Sequence, residues 1–180
     1  AESSNSRTNF GAYLDLESNL SSTLLLDVAS RFETYSDFGQ RITGKVAMRF
    51  QPSKRVVFRG TASTGFRAPG LAQSYFSHIT TSSIGGQLIE IGNFPVTSPV
   101  AKLFGAKPLK EETSINFSGG VAISPSDKFT LTLDLFHIKI NDRILLGATF
   151  DDDTTLAILA RNTITGVAGL QYFTNGLDTK

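Results

Sequence analysis

The chain has no cysteine and no tryptophan among its 180 residues. The absence of cysteine excludes a disulfide framework, a thiolate metal site and thiol chemistry within this chain. The net charge is only +1, so bulk electrostatics give no reason to expect a nucleic-acid partner. No run of about 18 or more apolar residues is present, which excludes a transmembrane helix. Barrel strands remain open, because they carry apolar residues only at alternate positions.

The residues that are abundant favour strands and turns over helices. The chain has 16 glycines and 14 phenylalanines, with many serines and threonines. It opens on the polar segment AESSNSRTNF and ends on LDTK, with no signal peptide and no closing element. We therefore expect the chain to be part of a longer protein.

Six runs of alternating apolar and polar residues follow one another along the chain. In the fourth run, RVVFRGTASTGFR, Phe58 and Phe66 share one face while Arg59 and Arg67 lie on the other. A long strand with one apolar and one polar face suits a wall between lipid and water. The other five runs lie at residues 10–16, 24–33, 42–50, 114–123 and 128–141.

The sixth run changes the polarity of its faces part-way along. Up to Leu135 the odd positions are apolar, but beyond it Phe136 and the following even positions are apolar instead, opposite His137 and Lys139. A register slip or bulge would explain this change. The interpretation we favour is that the strand leaves the lipid band, because about 14 residues exceed the 9–11 that span a bilayer.

The connections between the runs alternate in length. Turns after the first, third and fifth runs are short, whereas the other connections are longer, which is typical of outer-membrane barrels. The predicted fold is therefore all-β: an antiparallel meander of about six to seven strands, part of a transmembrane β-barrel. Residues 68–110, which we expect to be a long irregular stretch, and residues 143–168 are the predicted extracellular loops. The second should contain one short helix that follows the acids at 151–153 and ends at Arg161. Residues 166–175 are expected to begin a seventh strand.

Three segments, in order, resemble TonB-dependent outer-membrane receptors. They are GFRAP followed by GLAQSYF from residue 65, LKEETSINFSGGVAISPSDKFTLTLDLFHIKINDRI at 109–144, and GLQYFTNGLDTK at 169–180. In that family a barrel encloses an N-terminal plug, and uptake is energised through TonB. The resemblance implies that residues 1–180 are an interior slice of the barrel, without the plug or the TonB box.

The resemblance also implies a function and partners. We expect a segment of a transporter in the bacterial outer membrane that takes up iron-siderophore complexes or a similar scarce nutrient. The expected partners are outer-membrane lipid, an iron chelate or similar small ligand, and, through the full-length protein, the plug domain and the TonB complex. The alternative is a soluble all-β binding module that recognises carbohydrate or protein through the 68–110 loop.

Basic residues of the predicted lumen face have two interpretations. They could form an electropositive path for anionic ferric chelates, since guanidinium groups suit carboxylates and catecholates. They could instead pair with acids on neighbouring strands, which is usual for lumen charges. The lumen-facing charges are Arg31, Lys45, Arg49 and Arg59, and the candidate acidic partners are Asp15, Asp27, Glu33 and Asp134.

A second group of candidates lies at the end of the fourth run and in the loop after it. The candidate ligand-binding residues are Arg67, Tyr75, Phe76, His78 and Phe94. The rings of Tyr75, Phe76 and Phe94, together with Phe104, could line an external pocket or pack the loop against itself. His78 also lies where haem receptors carry a histidine, but the Asn-Pro-Asn-Leu box expected after it is absent.

Catalysis and metal binding find little support. The two histidines, His78 and His137, lie far apart, and no nucleophile elbow, phosphate loop or metal-ligand spacing is present. Three consecutive acids at 151–153 cannot all face one cation and suit a helix cap better. We expect no enzyme, no cofactor and no metal site.

Overall fold

The computed structural model describes residues 4–84 and 86–176. Its strands are β1 (Asn9–Asn19), β2 (Leu24–Tyr35), β3 (Gly39–Ser53), β4 (Val56–Arg67), β5 (His78–Ile84), β6 (Gln87–Asn93), β7 (Glu112–Ser126), β8 (Phe129–Asn141), β9 (Ile144–Leu146), β10 (Gly169–Gln171) and β11 (Phe173–Asn175). Its helices are α1 (Leu71–Tyr75), α2 (Pro99–Leu103) and α3 (Asp153–Arg161). Within the described residues, no helix is long and apolar enough to cross a membrane.

The chain divides into two compact units. The wall unit contains Arg7–Arg67 and Glu112–Asp142, and the loop unit contains Ala68–Glu111 and Arg143–Gly176 with the described residues before Arg7. The wall unit is a six-stranded antiparallel sheet in the order β1-β2-β3-β4-β7-β8. The predicted antiparallel meander of six runs is therefore confirmed.

One face of this sheet, called the apolar face below, carries the alternate apolar residues of every run. Most of their side chains are exposed, with Phe58 at 45%, Phe117 at 53% and Leu131 at 59% of full exposure. Large exposed apolar surfaces of this kind mark contacts with another apolar phase. The opposite face, called the polar face below, carries the charged residues.

The change of polarity on β8 does not come from a bulge. The pairing of β7 with β8 is continuous from Thr113 opposite Asn141 to Ile123 opposite Leu131, and shifts only at the turn beyond Ile123. His137 and Lys139 therefore lie on the same face as Leu135. The polar end of this face is a real boundary of the apolar surface, as the favoured interpretation requires.

The apolar residues form a band that crosses the strands obliquely. The row of paired residues through Leu16 on β1 continues through Val28, Val46, Ala62 and Phe117 to His137 on β8. Leu16 is the lowest apolar residue of β1, whereas β8 is apolar down to Phe129, roughly eight residues further along. Over five strand spacings of about 4.8 Å, this offset corresponds to a strand tilt of roughly 45°. That tilt is typical of transmembrane barrels.

The loop unit has regular structure and a core of its own. β5 and β6 form a hairpin, β10 adds to β6 in parallel, and β11 pairs with β9. The buried apolar residues of the described chain all lie in this unit: Ile91, Val96, Ala101, Ile144, Leu159 and Leu170.

Two expectations for the loops are corrected by this arrangement. The stretch 68–110 is not irregular, because it contains the hairpin and two short helices. The expected seventh strand is wrong for Gly169–Asn175, since these residues form two short strands that pair inside the loop unit. The predicted short helix is confirmed as α3, which ends at Arg161 and has Asp152 as its N-cap.

Candidate functional site

Two of the basic side chains on the polar face, Lys45 and Arg59, make ion pairs that reach across an intervening strand. Lys45 Nζ on β3 lies 2.6 Å from Asp27 Oδ2 on β2 and 4.0 Å from Asp15 Oδ2 on β1. Asp15 and Lys45 both pair with Ala29 in the strand register. Because the alanine side chain is small, the lysine can extend over it to reach Asp15 on the edge strand β1. One cation thus links three strands.

Arg59 and Asp134 make a second link of this type. The Arg59 guanidinium on β4 donates to the Asp134 carboxylate on β8 through Nε at 2.8 Å and Nη2 at 2.6 Å. The residue between them on β7 is Gly120, and a Cβ built there would lie 2.0 Å from Asp134 Oδ1. A residue without a side chain is therefore required for the carboxylate to lie where it does.

The other two predicted lumen cations, Arg31 and Arg49, have partners on their own strands instead. Arg31 donates to the buried Glu33, which also accepts a hydrogen bond of 2.7 Å from the Tyr35 hydroxyl. Arg49 donates to the side-chain oxygen of Gln51. The geometry favours the pairing interpretation of this face over a continuous electropositive path.

Arg67, at the end of β4, has an acidic partner that sequence reasoning missed. Its Nε and Nη2 donate to Glu112 at 2.8 and 2.5 Å, and the two residues are opposite each other in the register of β4 and β7. The Glu112 residue is 8% exposed, whereas the Arg67 side chain is 57% exposed. The signal was available: once the fourth and fifth runs are paired as neighbours, FRAP lies opposite the start of KEETS.

The loop residues Phe76 and His78 are brought together. Their ring centroids are 5.8 Å apart with an interplanar angle of 30°, and both side chains are exposed. Phe76 follows α1 directly and His78 begins β5, so both rings are held at the ends of regular elements. Exposed, adjacent rings of this kind can stack on a planar ligand.

Tyr75 and Phe94, the other two aromatic candidates, are more enclosed within the loop unit. Tyr75 is the last residue of α1 and is half-buried. The Phe94 ring covers Gly92, where an added Cβ would lie 2.4 Å from a ring carbon, and its backbone N–H donates to the Gln171 carbonyl at 3.0 Å. Phe94 therefore contributes to packing inside the loop unit.

Three further rings form a cluster that the sequence did not reveal in full. Phe150 lies between Phe104 and Tyr172, with centroid distances of 5.5 and 5.8 Å. The Tyr172 hydroxyl donates to the Phe104 carbonyl at 2.7 Å, and burial raises the pKa of this phenol above its ordinary value. This cluster joins the two long loops, since Phe104 belongs to the first and Phe150 to the second.

The acids at 151–153 lie at the N-terminus of α3, where Asp152 is the N-cap. Asp152 Oδ1 accepts hydrogen bonds from the Thr155 backbone N–H at 2.9 Å and from its hydroxyl at 2.5 Å. These bonds lower the pKa of the Asp152 carboxyl below its ordinary value. In the part of the chain that the structure describes, no group of three or more acidic or histidine side chains is placed to hold a metal ion.

A family model described as "TonB dependent receptor-like, beta-barrel" matches residues 1–179. The chain belongs to the TonB-dependent receptor family. The recognition made from its three sequence segments is therefore confirmed, and the six-stranded wall of this receptor is part of the family's β-barrel. No curated protein matches the chain.

Solved structures of siderophore receptors have the same fold as this TonB-dependent receptor chain. The siderophore receptor PirA from Pseudomonas aeruginosa matches with a TM-score of 0.72 at 15% identity, over 96% of this chain and 29% of that chain. PirA from Acinetobacter baumannii gives 0.66 at 14% identity, over 96% and 24%. A variant of the ferric enterobactin receptor PfeA from Pseudomonas aeruginosa, in complex with enterobactin, gives 0.70 at 16% identity, over 96% and 23%. The chain thus spans less than a third of each matched receptor, and identities this low show the fold alone.

Proposed function

We propose that this chain is a segment of an outer-membrane active transporter that takes up an iron-siderophore complex or a similar scarce nutrient, energised through TonB. The observation that carries the proposal is the two-faced wall, with an oblique exposed apolar band on one face and paired charges on the other, in a member of this receptor family. The fold shared with siderophore receptors supports the choice of ligand class.

Within this function the loop unit captures the ligand outside the cell. Segments 68–110 and 143–168 are the extracellular loops, and they share one buried core in which Leu159 and Leu170 are almost fully enclosed. A surface that is already ordered loses little conformational entropy when it binds. Phe76 and His78 are the contacts we assign to the ligand, because their rings are exposed and adjacent.

The wall unit provides the lipid boundary and the lining of the transport path. Arg59 and Asp134 are about half exposed, at 51% and 52%, so an anionic chelate can exchange with the carboxylate for the same guanidinium. The paired state prevents unpaired charge on the lining when no ligand is present. Arg67, with a largely exposed guanidinium next to the first loop, offers the same exchange at the entrance.

The alternative of a soluble binding module is disfavoured by the apolar face. A soluble domain would have to cover side chains of this face such as Ile42, at 71% exposure, and Leu135, at 70%. A transporter of this family also gives no reason to expect catalysis, so we assign no enzymatic role.

The test is uptake by the complete receptor that contains this chain. Cells lacking their own siderophore receptors would express it, and radioactive iron would be supplied as catecholate, hydroxamate or citrate chelates, with haem and cobalamin as further candidates. We expect uptake of one class that disappears when TonB is deleted. Uptake of none of these compounds, or uptake that is unchanged without TonB, would refute the proposal.

A further inference from the structure

The apolar face of the wall unit carries a groove that no side chain fills. Its volume is about 390 Å³, and it lies over Gly44 on β3 between side chains of β2, β4 and β7. A Cβ built at Gly44 would meet only the Ala29 carbonyl oxygen, at 3.6 Å, so the floor of the groove is open backbone. The apolar side chains along it are Val28, Val46, Ala62, Ile115 and Phe117.

Two cationic or proton-donating side chains lie beside this groove on the same face. His137 is the register partner of Phe117, and Lys139 is the register partner of Ile115. Both therefore stand one strand away from the groove wall, at a spacing of about 5 Å between backbones. Within the described residues neither side chain has an ion-pair or hydrogen-bond partner.

The position of these residues relative to the apolar band indicates what they face. On β8 the band ends at Leu135, and the strand continues in register to His137 and Lys139. With strands tilted by roughly 45°, the two side chains lie at the upper margin of the band and the groove lies below them. An apolar groove with a cationic side chain one strand away from its wall has the chemistry that suits a lipid chain and its anionic headgroup.

We propose that this surface, the groove over Gly44 together with His137 and Lys139, binds a membrane lipid with a phosphorylated headgroup. One acyl chain lies in the groove against Ile115 and Phe117. The headgroup phosphate accepts hydrogen bonds from the Lys139 ammonium and the His137 ring. The lipid belongs to the leaflet on the side of the long loops, an orientation that rests on the proposed function.

The occupant is a lipid rather than free phosphate or a polypeptide. Free phosphate has no use for an apolar groove of this size, and a polypeptide on this face would have to displace the lipid that covers the surrounding band. Charge complementarity and continuity with the band both favour a lipid whose chain and headgroup are covalently linked.

The test measures lipid bound to the complete receptor, purified in a mild non-ionic detergent, by native mass spectrometry. The probes are lipid A with two phosphates and the same lipid after removal of its phosphates. The double variant His137→Gln and Lys139→Gln should lower occupancy by the phosphorylated lipid about fivefold or more. Lys128→Gln, which removes a lysine from the turn at the other end of β8, is the matched control and should leave occupancy unchanged.

A second variant tests the groove without touching the charges. Gly44→Leu fills the floor, and the space above Gly44 allows this without a close contact. It should lower occupancy by both forms of the lipid. Equal binding of the two lipid forms to the unmodified receptor, an equal loss in Lys128→Gln, or displacement of the lipid by excess inorganic phosphate would overturn the inference.

The outcome is separate from that of the transport proposal. Lipid occupancy is measured on purified protein and does not depend on uptake of any chelate. A receptor that fails to transport iron but loses lipid in the His137 and Lys139 variant would refute the transport proposal and support this inference. A receptor that transports iron but keeps its lipid in the His137 and Lys139 variant would support the transport proposal and refute this inference.

Discussion

At the scale of single residues, the polar face depends on positions where a side chain would be too large. Gly120 permits the contact between Arg59 and Asp134 across β7, whereas Gly119, one residue earlier, faces the apolar side. A Cβ at Gly119 would meet only the Arg59 carbonyl oxygen, at 3.9 Å. Two adjacent glycines therefore differ completely in what they tolerate.

This difference predicts the behaviour of two alanine variants. Gly120→Ala should displace the Asp134 carboxylate and break its contact with Arg59, lowering the melting temperature of the complete receptor in detergent by about one degree. Gly119→Ala is the control and should leave the melting temperature unchanged or slightly raised, since alanine reduces backbone freedom in the unfolded chain. Equal melting temperatures for the two variants would show that the ion pair does not occupy the position described.

Asp152 gives a prediction about pH at the start of α3. Hydrogen bonds from Thr155 lower the pKa of this carboxyl in the folded state, so its contribution to helix stability is present above the ordinary value of 3.8 and is lost as the pH falls through the lower folded value. Hydrogen exchange of the first turn of α3 should therefore accelerate at acidic pH, after correction for intrinsic rates. Asp152→Asn, which keeps a cap but does not titrate, should remove this dependence. Asp153→Asn should keep it, and a variant at Asp152 that behaves like the original protein would contradict the assignment.

At the scale of elements, the wall strands were predictable and the loop strands were not. The wall strands are long and repeat with a period of two, so their apolar positions are visible without any partner. β10 and β11 have three residues each and exist because they pair with β6 and β9. The β5–β6 hairpin was predictable from a local pattern, because two glycines separate the strand-like segments HITTSSI and QLIEIGN. The expectation of an irregular loop did not take this pattern into account.

Side-chain contacts were likewise predictable in the wall unit and not in the loop unit. Pairing of Lys45 with Asp27, and of Arg59 with Asp134, could be proposed because the residues lie on neighbouring or next-neighbouring strands of a meander. The contact of Tyr172 with Phe104 depends on how two distant loops fold together, which no local pattern records. Ligand contacts of Phe76 and His78 stay a prediction.

The shared core of the loops predicts that they are stabilised together. Leu170 is fully buried, so Leu170→Ala should reduce the stability of the loop unit by about 2–5 kcal/mol. Hydrogen exchange and limited proteolysis should then show faster opening of both 68–111 and 143–176, and ligand binding should weaken. Leu88→Ala, at a site with 78% exposure, is the matched control and should change neither. If only the segment around Leu170 opens, the two loops do not share one core.

At the scale of the whole molecule, the central claim is that the wall unit is a tilted membrane wall whose lipid contact ends at a defined residue on each strand. The obliqueness of the band supports it, because Leu16 and His137 belong to one row of the sheet yet differ in polarity. A soluble sheet would have no reason to shift its apolar residues steadily along successive strands. This feature emerged only when the strand register was known.

The most direct measurement is a scan of β8 with single cysteines, which the chain's lack of native cysteine makes possible. The complete receptor, made free of other cysteines, would carry a spin label at one position at a time in lipid vesicles, and collisions with oxygen and with a water-soluble nickel complex would be compared. We expect high oxygen contact at Leu131, Leu133 and Leu135 and low contact at Thr132 and Asp134. The nickel complex should dominate at His137 and Lys139. Oxygen contact without alternation between 131 and 135, or high oxygen contact that continues to Lys139, would contradict the account.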